Sequence, residues 1–323
     1  MIFPFFDISK KPISAALNAE IISTGFPIKD LARFGPEQNM KLSPVQANIY
    51  CRSLAKKHYE NFSVATFLLP PEMRNHFYAV YAFCRWADDL ADETPESDSL
   101  LTWWEELLSN FYDTLEKQDE TVTHPVFMAL KFTVREFQIP KNLFSDLLIA
   151  FRQDQRVHEY FTREQLLDYC RYSANPVGRI ILHLARITDE ESLKMSDSIC
   201  TGLQLANFWQ DVARDWREKS RIYIPAEDRE RFGVSSAAFL TQKSSPEFLD
   251  LMREEVAWAE TFFRAGAALP DRLPRIFSRD VKLFSAGGQA ILQAIKRQKY
   301  DVWKCRPRVS KFTKFLLLLK YYF

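Results

Sequence analysis

The chain has 323 residues, of which 47% are hydrophobic and 26% are charged, and its formal net charge at pH 7 is +1. This composition is typical of a folded globular protein and excludes a disordered or collagen-like chain. Only eight residues are glycine, although folds built on tight turns or phosphate-binding loops need many. This scarcity disfavours β-sandwiches, Rossmann domains and P-loop enzymes, and we predict an all-α protein.

The first 300 residues divide into an extension and a long helical region. Residues 1–39 contain four prolines and no sustained helical period, so we predict an irregular N-terminal extension there. In residues 40–300 apolar side chains recur at helical spacing almost throughout, which predicts a single helical domain. Its helices are expected near residues 71–92, 99–117, 123–137, 140–155, 162–187, 191–218, 245–268 and 272–299.

Two local signals mark the helix predicted at residues 162–187. Thr162 and Gln165 have the spacing of a capping box, in which two side chains bind free backbone N–H groups at the helix start. Pro176 lacks the N–H group that a helix interior requires. We therefore expect this helix to kink or break at the proline.

Residues 301–323 form a basic and apolar C-terminal tail. From residue 296 onward the chain has nine basic residues and a single acid, Asp301, mixed with leucine, phenylalanine and tyrosine. This mixture favours peripheral contact with an anionic membrane, and the alternative is a solvated basic helix end. A nucleic-acid partner is not expected, because such a partner would leave the apolar residues of the tail unexplained.

The cysteines and the apolar runs indicate the compartment. Five cysteines are scattered and show no C-x-x-C spacing, which predicts thiols in a reducing environment. No apolar run approaches the roughly 18 residues that are needed to cross a bilayer. We therefore expect a cytoplasmic protein with peripheral membrane contact through its tail.

A first acidic motif lies on the helix predicted at residues 71–92. At about 100° of rotation per residue, Tyr81, Arg85, Asp88 and Asp92 share one face, with Asp89 at its edge. Carboxylates at i and i+4 on a helix repel each other. A bound cation would relieve the repulsion between Asp88 and Asp92, and the alternative for this motif alone is a solvated helix face.

A second acidic motif lies on the helix predicted at residues 191–218. Gln204, Asn207, Asp211 and Asp215 fall within one arc of this helix, and its other positions are strongly apolar. Acids on a buried helix are usually paired or metal-bound. Because oxygen ligands suit Mg²⁺, two such motifs together predict a magnesium site that grips a diphosphate, with Arg85 and Arg221 completing the charge neutralisation.

These motifs resemble those of the squalene/phytoene synthase family. The matching segments are Asp88-Asp-Leu-Ala-Asp92, Asn207-Phe-Trp-Gln-Asp211-Val-Ala-Arg-Asp215 and Arg221-Ile-Tyr-Ile-Pro225. The likeness extends over about residues 43–300, and the segments at 59–65, 169–179 and 207–211 are most similar to the hydroxysqualene synthases of hopanoid biosynthesis. The resemblance implies an all-α isoprenoid synthase fold, with a single helical domain around a central cavity.

The resemblance also implies roles for individual residues. Mg²⁺ would be held by Asp88, Asp92, Asn207, Asp211 and Asp215. The four aspartates, with Tyr81 and Tyr223, would form the catalytic set, and the substrate would be bound by Arg85, Gln204, Asn207, Arg221, Asn61 and Phe62. Aromatic rings can stabilise a carbocation, and Phe62 and Tyr81 are candidates for this role. Phe83, Phe208 and Trp209 also lie near the motifs, but core packing is the favoured interpretation for each.

One departure from the family bears on the reaction. Squalene and phytoene synthases usually carry a Ser-Lys-Ser-Phe-like segment after a histidine, whereas here His58 is followed by Tyr59-Glu-Asn-Phe62. The loss of the lysine makes one diphosphate subsite less basic and favours a single diphosphate substrate. The resemblance then implies conversion of presqualene diphosphate and water to hydroxysqualene and diphosphate, without NADPH.

Three alternatives remain at this point. The protein could be a condensing enzyme that joins two prenyl diphosphates to presqualene diphosphate, squalene or phytoene. It could be a terpene cyclase, whose metal motifs are similar. It could also be a non-catalytic subunit that binds prenyl lipids or partner enzymes of the same pathway, although such a subunit would have no need of both aspartate pairs.

Overall fold

The computed structural model describes residues 23–38, 40, 42–57, 69–117 and 123–322. Within these residues the regular secondary structure is helical, apart from an isolated bridge between Glu159 and Ile222. The all-α prediction is therefore confirmed. The chain divides into two compact units, unit 1 at Met1–Gln155 and unit 2 at Arg156–Phe323, where the sequence suggested a single helical domain over residues 40–300.

Unit 1 is built around one long helix that carries the first acidic motif. This helix, α3 (Pro71–Asp92), packs against the five other helices described in the unit, and it buries Phe83 and Trp86. Trp86 stacks on Trp104 of the helix that follows, at a ring distance of 5.2 Å, and both are fully buried. The helices of unit 1 are α1 Pro27–Phe34, α2 Pro44–Lys57, α3 Pro71–Asp92, α4 Ser97–Glu116, α5 Pro125–Phe137 and α6 Lys141–Asp154.

Helix α1 lies within the range that the sequence suggested to be irregular. Its Asp30 is buried and accepts hydrogen bonds from Ser23 Oγ at 2.6 Å and from Tyr50 Oη of α2 at 2.8 Å. Trp86 Nε1 of α3 donates to the same Tyr50 oxygen at 3.0 Å. Residues 27–34 thus differ from the predicted irregular extension, because a proline start and a buried carboxylate fix a helix too short to show a clear period.

Unit 2 is built around α9 (Glu190–Lys219), a helix of 30 residues that carries the second acidic motif. Helices α8 (Asn175–Leu184), α12 (Pro246–Ala265) and α13 (Arg275–Arg297) pack against it. Close approach is possible because Gly288 lacks a side chain, since a Cβ atom there would lie 2.7 Å from Leu203. The helices of unit 2 are α7 Arg163–Ser173, α8 Asn175–Leu184, α9 Glu190–Lys219, α10 Ala226–Arg231, α11 Ala237–Thr241, α12 Pro246–Ala265, a 3-10 turn at Leu269–Arg272, α13 Arg275–Arg297 and α14 Lys311–Tyr322.

The helix predicted at residues 162–187 is interrupted as expected. Helix α7 ends at Ser173, and Pro176 lies in the first turn of α8, where its missing N–H group costs no hydrogen bond. The Thr162 hydroxyl accepts from the Gln165 N–H group at 3.2 Å. The Gln165 side chain, however, accepts from the Phe161 N–H group at 2.9 Å and not from the Thr162 N–H group. The second hydrogen bond of the capping box is therefore made one residue earlier in the chain than predicted.

None of the helices in the part of the chain that the structure describes combines the length and the apolar character needed to cross a bilayer.

Glu255 is a fully buried carboxyl group on α12, far in sequence from both acidic motifs. Burial, reinforced by the nearby carboxylate of Asp228, raises the pKa of Glu255 well above its usual range, while Arg163 opposes this shift. Glu254 adds a further raising contribution. Arg163 is itself held by Asp228, whose Oδ2 accepts from its Nε at 2.7 Å. Folded unit 2 therefore holds a proton on Glu255 that the unfolded chain releases.

We expect the substitution Glu255→Gln to remove a pH dependence of stability. Because the folded-state pKa is raised, the proton stabilises the folded state fully below the unfolded-state pKa, and this stabilisation is lost as the pH rises through the folded-state pKa. As the pH rises, the free energy of unfolding of the parent protein should therefore decrease relative to that of the variant, by up to about 1.4 kcal/mol per pH unit. Chemical denaturation at a series of pH values measures the difference, and a constant difference would contradict the assignment.

Candidate active site

The first acidic cluster consists of Tyr81, Arg85, Asp88, Asp89 and Asp92 on α3. Arg85 Nη1 lies 3.3 Å from Asp88 Oδ2, and its Nη2 forms an ion pair with Asp89. Asp88 is half-buried and Asp92 is exposed, whereas Asp89 is buried. Arg85, which the sequence assigned to the substrate, is thus already paired with carboxylates of its own helix and would have to exchange partners to bind a diphosphate.

Two groups of this cluster have displaced pKa values because of burial. Desolvation raises the pKa of Asp89 to about 8, although the charge of Arg85 opposes the shift. Desolvation also raises the pKa of Tyr81 above its usual range, so its phenol stays protonated at neutral pH and can donate a hydrogen bond. The helical period placed Asp89 only at the edge of the acidic face, and nothing in the sequence indicated that it would be the most buried acid of the three.

The second acidic cluster consists of Gln204, Asn207, Asp211 and Asp215 on α9. The first three are buried and Asp215 is half-buried, which confirms that this helix is central to its unit. Burial and then the neighbouring charge of Asp211 raise the pKa of Asp215 to about 7. The Asn207 Oδ1 atom is buried, and no described residue donates a hydrogen bond to it. This cluster thus presents an amide oxygen without a donor beside two carboxylates.

Arg306 is a member of the second cluster that the sequence did not reveal. It follows α13, and its guanidinium forms a two-point ion pair with Asp211, in which Nη2 lies 2.9 Å from Oδ2. The same Nη2 donates to Gln210 Oε1 at 3.1 Å, and Gln210 Nε2 donates to the Pro307 carbonyl at 2.6 Å. The start of the C-terminal tail is therefore fixed onto the acidic face of α9, and Arg306 compensates the buried charge of Asp211.

The segment Arg221–Pro225 is held against residues 158–161. Ile222 N–H donates to the His158 carbonyl at 2.7 Å, and Ala226 N–H donates to the Tyr160 carbonyl at 2.9 Å. Buried Arg229 reinforces this arrangement, because its Nε donates to the Ile224 carbonyl at 3.1 Å and its Nη2 pairs with Glu159. The segment is therefore a fixed element of unit 2 and not a loose loop.

Because this segment is fixed, the predicted site residues Arg221 and Tyr223 have defined positions next to α9. The Tyr223 ring stacks on Phe208 of α9, with ring centroids 3.8 Å apart and planes 8° from parallel. Arg221 is buried directly after α9, where its N–H group donates to the Asp215 carbonyl at 3.2 Å. Unit 2 thus brings together Arg221, Tyr223 and the second acidic cluster.

The aromatic residues near the motifs have different surroundings. Phe83 is fully buried among Trp104, Phe127 and Phe144 of unit 1, in the manner of a core residue. Trp209 is also fully buried, with Trp258 at 6.4 Å. Phe208 differs, because it forms a parallel pair with the half-buried ring of Tyr223. Two predicted site residues, Asn61 and Phe62, lie outside the described residues.

The donor chemistry of the two clusters fits a hard cation. Carboxylate and amide oxygens are the ligands that Mg²⁺ takes in proteins, and the buried Asn207 Oδ1 lacks a donor within the described chain. Among the described residues no three side chains of the His, Cys, Asp and Glu types form a ready-made metal site. Within unit 2, Asp211 is engaged by Arg306.

Comparisons with known proteins agree with this fold. A squalene synthase of Alicyclobacillus acidocaldarius of known structure is 40% identical, with a TM-score of 0.76, and the match covers 81% of this chain and 97% of that one. The hydroxysqualene synthase of Zymomonas mobilis is 39% identical over 180 residues, which are 55% of this chain and 58% of the relative. That of Sinorhizobium fredii is 34% identical over 219 residues, which are 68% of this chain and 73% of the relative.

The chain has the all-α isoprenoid synthase fold, as the resemblance implied. The family model for squalene/phytoene synthases matches residues 55–313. The chain belongs to the squalene/phytoene synthase family, a family of enzymes. The alignments span just under three fifths of the Zymomonas relative and about three quarters of the Sinorhizobium relative.

We expect Arg306→Gln to tighten the binding of a divalent cation to the protein without substrate. The guanidinium must leave Asp211 before that carboxylate can accept a cation, and a partly exposed ion pair contributes on the order of 1 kcal/mol. The Kd for Mn²⁺, measured by electron paramagnetic resonance, should therefore fall about fivefold.

Arg308→Gln is the matched control, because Arg308 is exposed and lies two residues further along the tail. In an Asp211→Asn background, the substitution of Arg306 should have no further effect on Mn²⁺ binding. An unchanged or weakened affinity in Arg306→Gln alone would show that the ion pair does not compete with the cation.

Proposed function

We propose that this protein is a Mg²⁺-dependent C30 isoprenoid synthase that converts presqualene diphosphate and water to hydroxysqualene and diphosphate. The observation that carries the proposal is the second acidic cluster, where buried amide and carboxylate oxygens share one face of α9. Relatives named hydroxysqualene synthase, at 34% and 39% identity, support the choice of reaction. Hopanoid biosynthesis is the corresponding pathway.

Each cluster would bind Mg²⁺ in this proposal, the first through Asp88 and Asp92 of α3 and the second through Asn207, Asp211 and Asp215 of α9. Bound Mg²⁺ would supply positive charge that stabilises the departing diphosphate. Arg85 and Arg221 would neutralise the remaining charge, and Arg85 would do so by exchanging its partners Asp88 and Asp89 for phosphate oxygens. The neutral phenol of Tyr81 would donate a hydrogen bond to the same anion.

The reaction begins when the bond between carbon and the diphosphate oxygen breaks, and both electrons leave with the diphosphate. The cation rearranges, the cyclopropane ring opens, and water adds to the cation. The added water then loses one proton to the released diphosphate. The stacked rings of Phe208 and Tyr223 offer an aromatic face that does not react with the cation. Such a face stabilises a desolvated cation by up to about 2 kcal/mol, and Gln204 would help to bind the substrate beside it.

The residues after His58 support a single prenyl diphosphate substrate. The segment Tyr59-Glu-Asn-Phe62 replaces a lysine-containing segment of the condensing enzymes, and in this proposal Asn61 and Phe62 contact a single substrate. No NADPH is needed, since water and not hydride captures the cation. A condensing synthase is the alternative reaction that the same fold would support.

The reaction would take place beside a membrane or a partner enzyme. Presqualene diphosphate and its product are lipids, so the enzyme would act in the cytoplasm beside an anionic membrane or a partner enzyme of the same pathway. The basic and apolar tail at residues 301–323 is the segment that would make the membrane contact.

A product assay tests the reaction directly. The protein with Mg²⁺ receives presqualene diphosphate in one tube and farnesyl diphosphate in another, each with and without NADPH, and the products are identified by mass spectrometry. We expect hydroxysqualene from the first substrate irrespective of NADPH. A C30 product from farnesyl diphosphate would contradict the proposal and support the condensing alternative.

We expect Asp211→Asn to lower turnover of presqualene diphosphate by at least about 100-fold, because it removes an anionic ligand of the Mg²⁺ that would stabilise the departing diphosphate. The matched control is Asp197→Asn on the same helix, where the carboxylate pairs with Arg179 at 2.6 Å. Circular dichroism of both variants reports whether they fold. A folded Asp211→Asn variant with near-normal turnover would overturn the assignment of the second cluster.

A further inference from the structure

Helix α14 exposes a continuous apolar face at the end of unit 2. Phe312, Phe315, Leu316 and Leu319 have exposed fractions of 69%, 55%, 46% and 40%. Their spacing is i, i+3, i+4 and i+7, so the four side chains form one stripe along the helix. Single exposed apolar residues are ordinary, but a stripe of four on one helix face indicates a surface that contacts something apolar.

The other side of α14 is fixed to the body of unit 2. The Tyr322 hydroxyl, on a buried ring, donates to the buried carboxylate of Asp280 on α13. The Arg279 guanidinium lies 5.9 Å from the centre of the same ring. Because Tyr322 holds the helix in this orientation, the apolar stripe stays exposed and does not turn inward onto α13.

The segment before α14 is fixed as well. Pro307 is buried, and its carbonyl accepts from Gln210 of α9 at 2.6 Å, while Arg306 is paired with Asp211. Both ends of the tail are therefore attached to long helices of unit 2. The stripe belongs to a helix with a defined position and is not part of a frayed terminus.

The charge around the stripe is positive. From Val302 to the end of the chain there is no acidic residue, and the basic residues are Lys304, Arg306, Arg308, Lys311, Lys314 and Lys320. Arg306 is engaged by Asp211, whereas Arg308, Lys311 and Lys320 are exposed. A second copy of this surface would bring like charges together and is disfavoured for that reason. An anionic surface with an apolar interior complements both features.

We propose that the stripe Phe312, Phe315, Leu316 and Leu319 is a docking surface for an anionic lipid bilayer, with α14 lying in the plane of the interface. A helix of 12 residues is about 18 Å long, which is too short for the hydrocarbon core of about 30 Å. The aromatic and leucine side chains enter the boundary between headgroups and acyl chains, and the lysines bind anionic headgroups. This inference deepens the membrane contact of the proposed function by assigning it to one helix face, and it does not depend on the reaction.

Vesicle sedimentation tests the docking surface with the full-length protein. The vesicles are either pure phosphatidylcholine or phosphatidylcholine with about a third phosphatidylglycerol. We expect the parent protein to sediment with the anionic vesicles, and to be released as the salt concentration rises. The double variant Phe312→Ser with Phe315→Ser should bind at least about tenfold more weakly, because two large apolar side chains no longer enter the interface.

The matched control removes two exposed apolar side chains elsewhere, by Val45→Ser on α2 and Leu240→Ser on α11, whose exposed fractions are 69% and 73%. The control should bind vesicles as the parent does. Lys311→Gln with Lys320→Gln should lower binding to the anionic vesicles selectively. Circular dichroism and turnover of presqualene diphosphate in solution show whether each variant retains its fold and its activity.

Several outcomes would overturn the proposal. These are no binding of the parent protein to anionic vesicles, equal binding of the parent and the Phe312/Phe315 variant, and a dimer of the parent in light scattering that the same variant abolishes. The last result would assign the stripe to a second copy of the chain. A failure of this proposal appears in vesicle binding and a failure of the proposed reaction appears in the product assay, so the two are separable.

Discussion

Helix α9 carries amides and carboxylates through the interior of unit 2, and each of these groups must be compensated. An isolated buried charge costs far more free energy than a folded chain has to spare. The structure meets this requirement in different ways along the helix. Arg306 pairs with Asp211, Gln210 binds the backbone of Pro307, and burial shifts the pKa of Asp215 to about 7. Asn207 Oδ1 accepts no hydrogen bond within the described chain. It is therefore the buried oxygen of this helix that is best able to bind a ligand.

The first acidic cluster meets the same requirement with a local partner. Arg85 lies one helical turn before Asp89 and pairs with it and with Asp88. A partner on the same helix is fixed by the helix itself, whereas Arg306 reaches Asp211 across 95 positions of the chain. The first cluster can therefore form wherever α3 is folded. The second depends on the packing of the tail onto α9, and so on the folding of the whole of unit 2.

Helical periodicity explains which parts of this arrangement could be predicted from the sequence. It placed α3 at residues 71–92 and put Gln204, Asn207, Asp211 and Asp215 on one face of α9, because both depend only on rotation per residue. It could not show which neighbour covers that face. For the same reason periodicity does not separate Arg306 from the basic tail, leaves Asp89 at the edge of its face, and does not reveal helix α1, whose Asp30 binds Tyr50.

The tail has two parts with separate physical roles, and the boundary between them lies after Pro307. Residues Arg306 and Pro307 complete the surroundings of a buried carboxylate, whereas α14 adds an exposed apolar helix. A C-terminal truncation would therefore affect the protein differently depending on whether it begins before or after this boundary. Removal of α14 alone uncovers Asp280, but removal from Arg306 onward also leaves Asp211 as an uncompensated charge inside the longest helix of its unit.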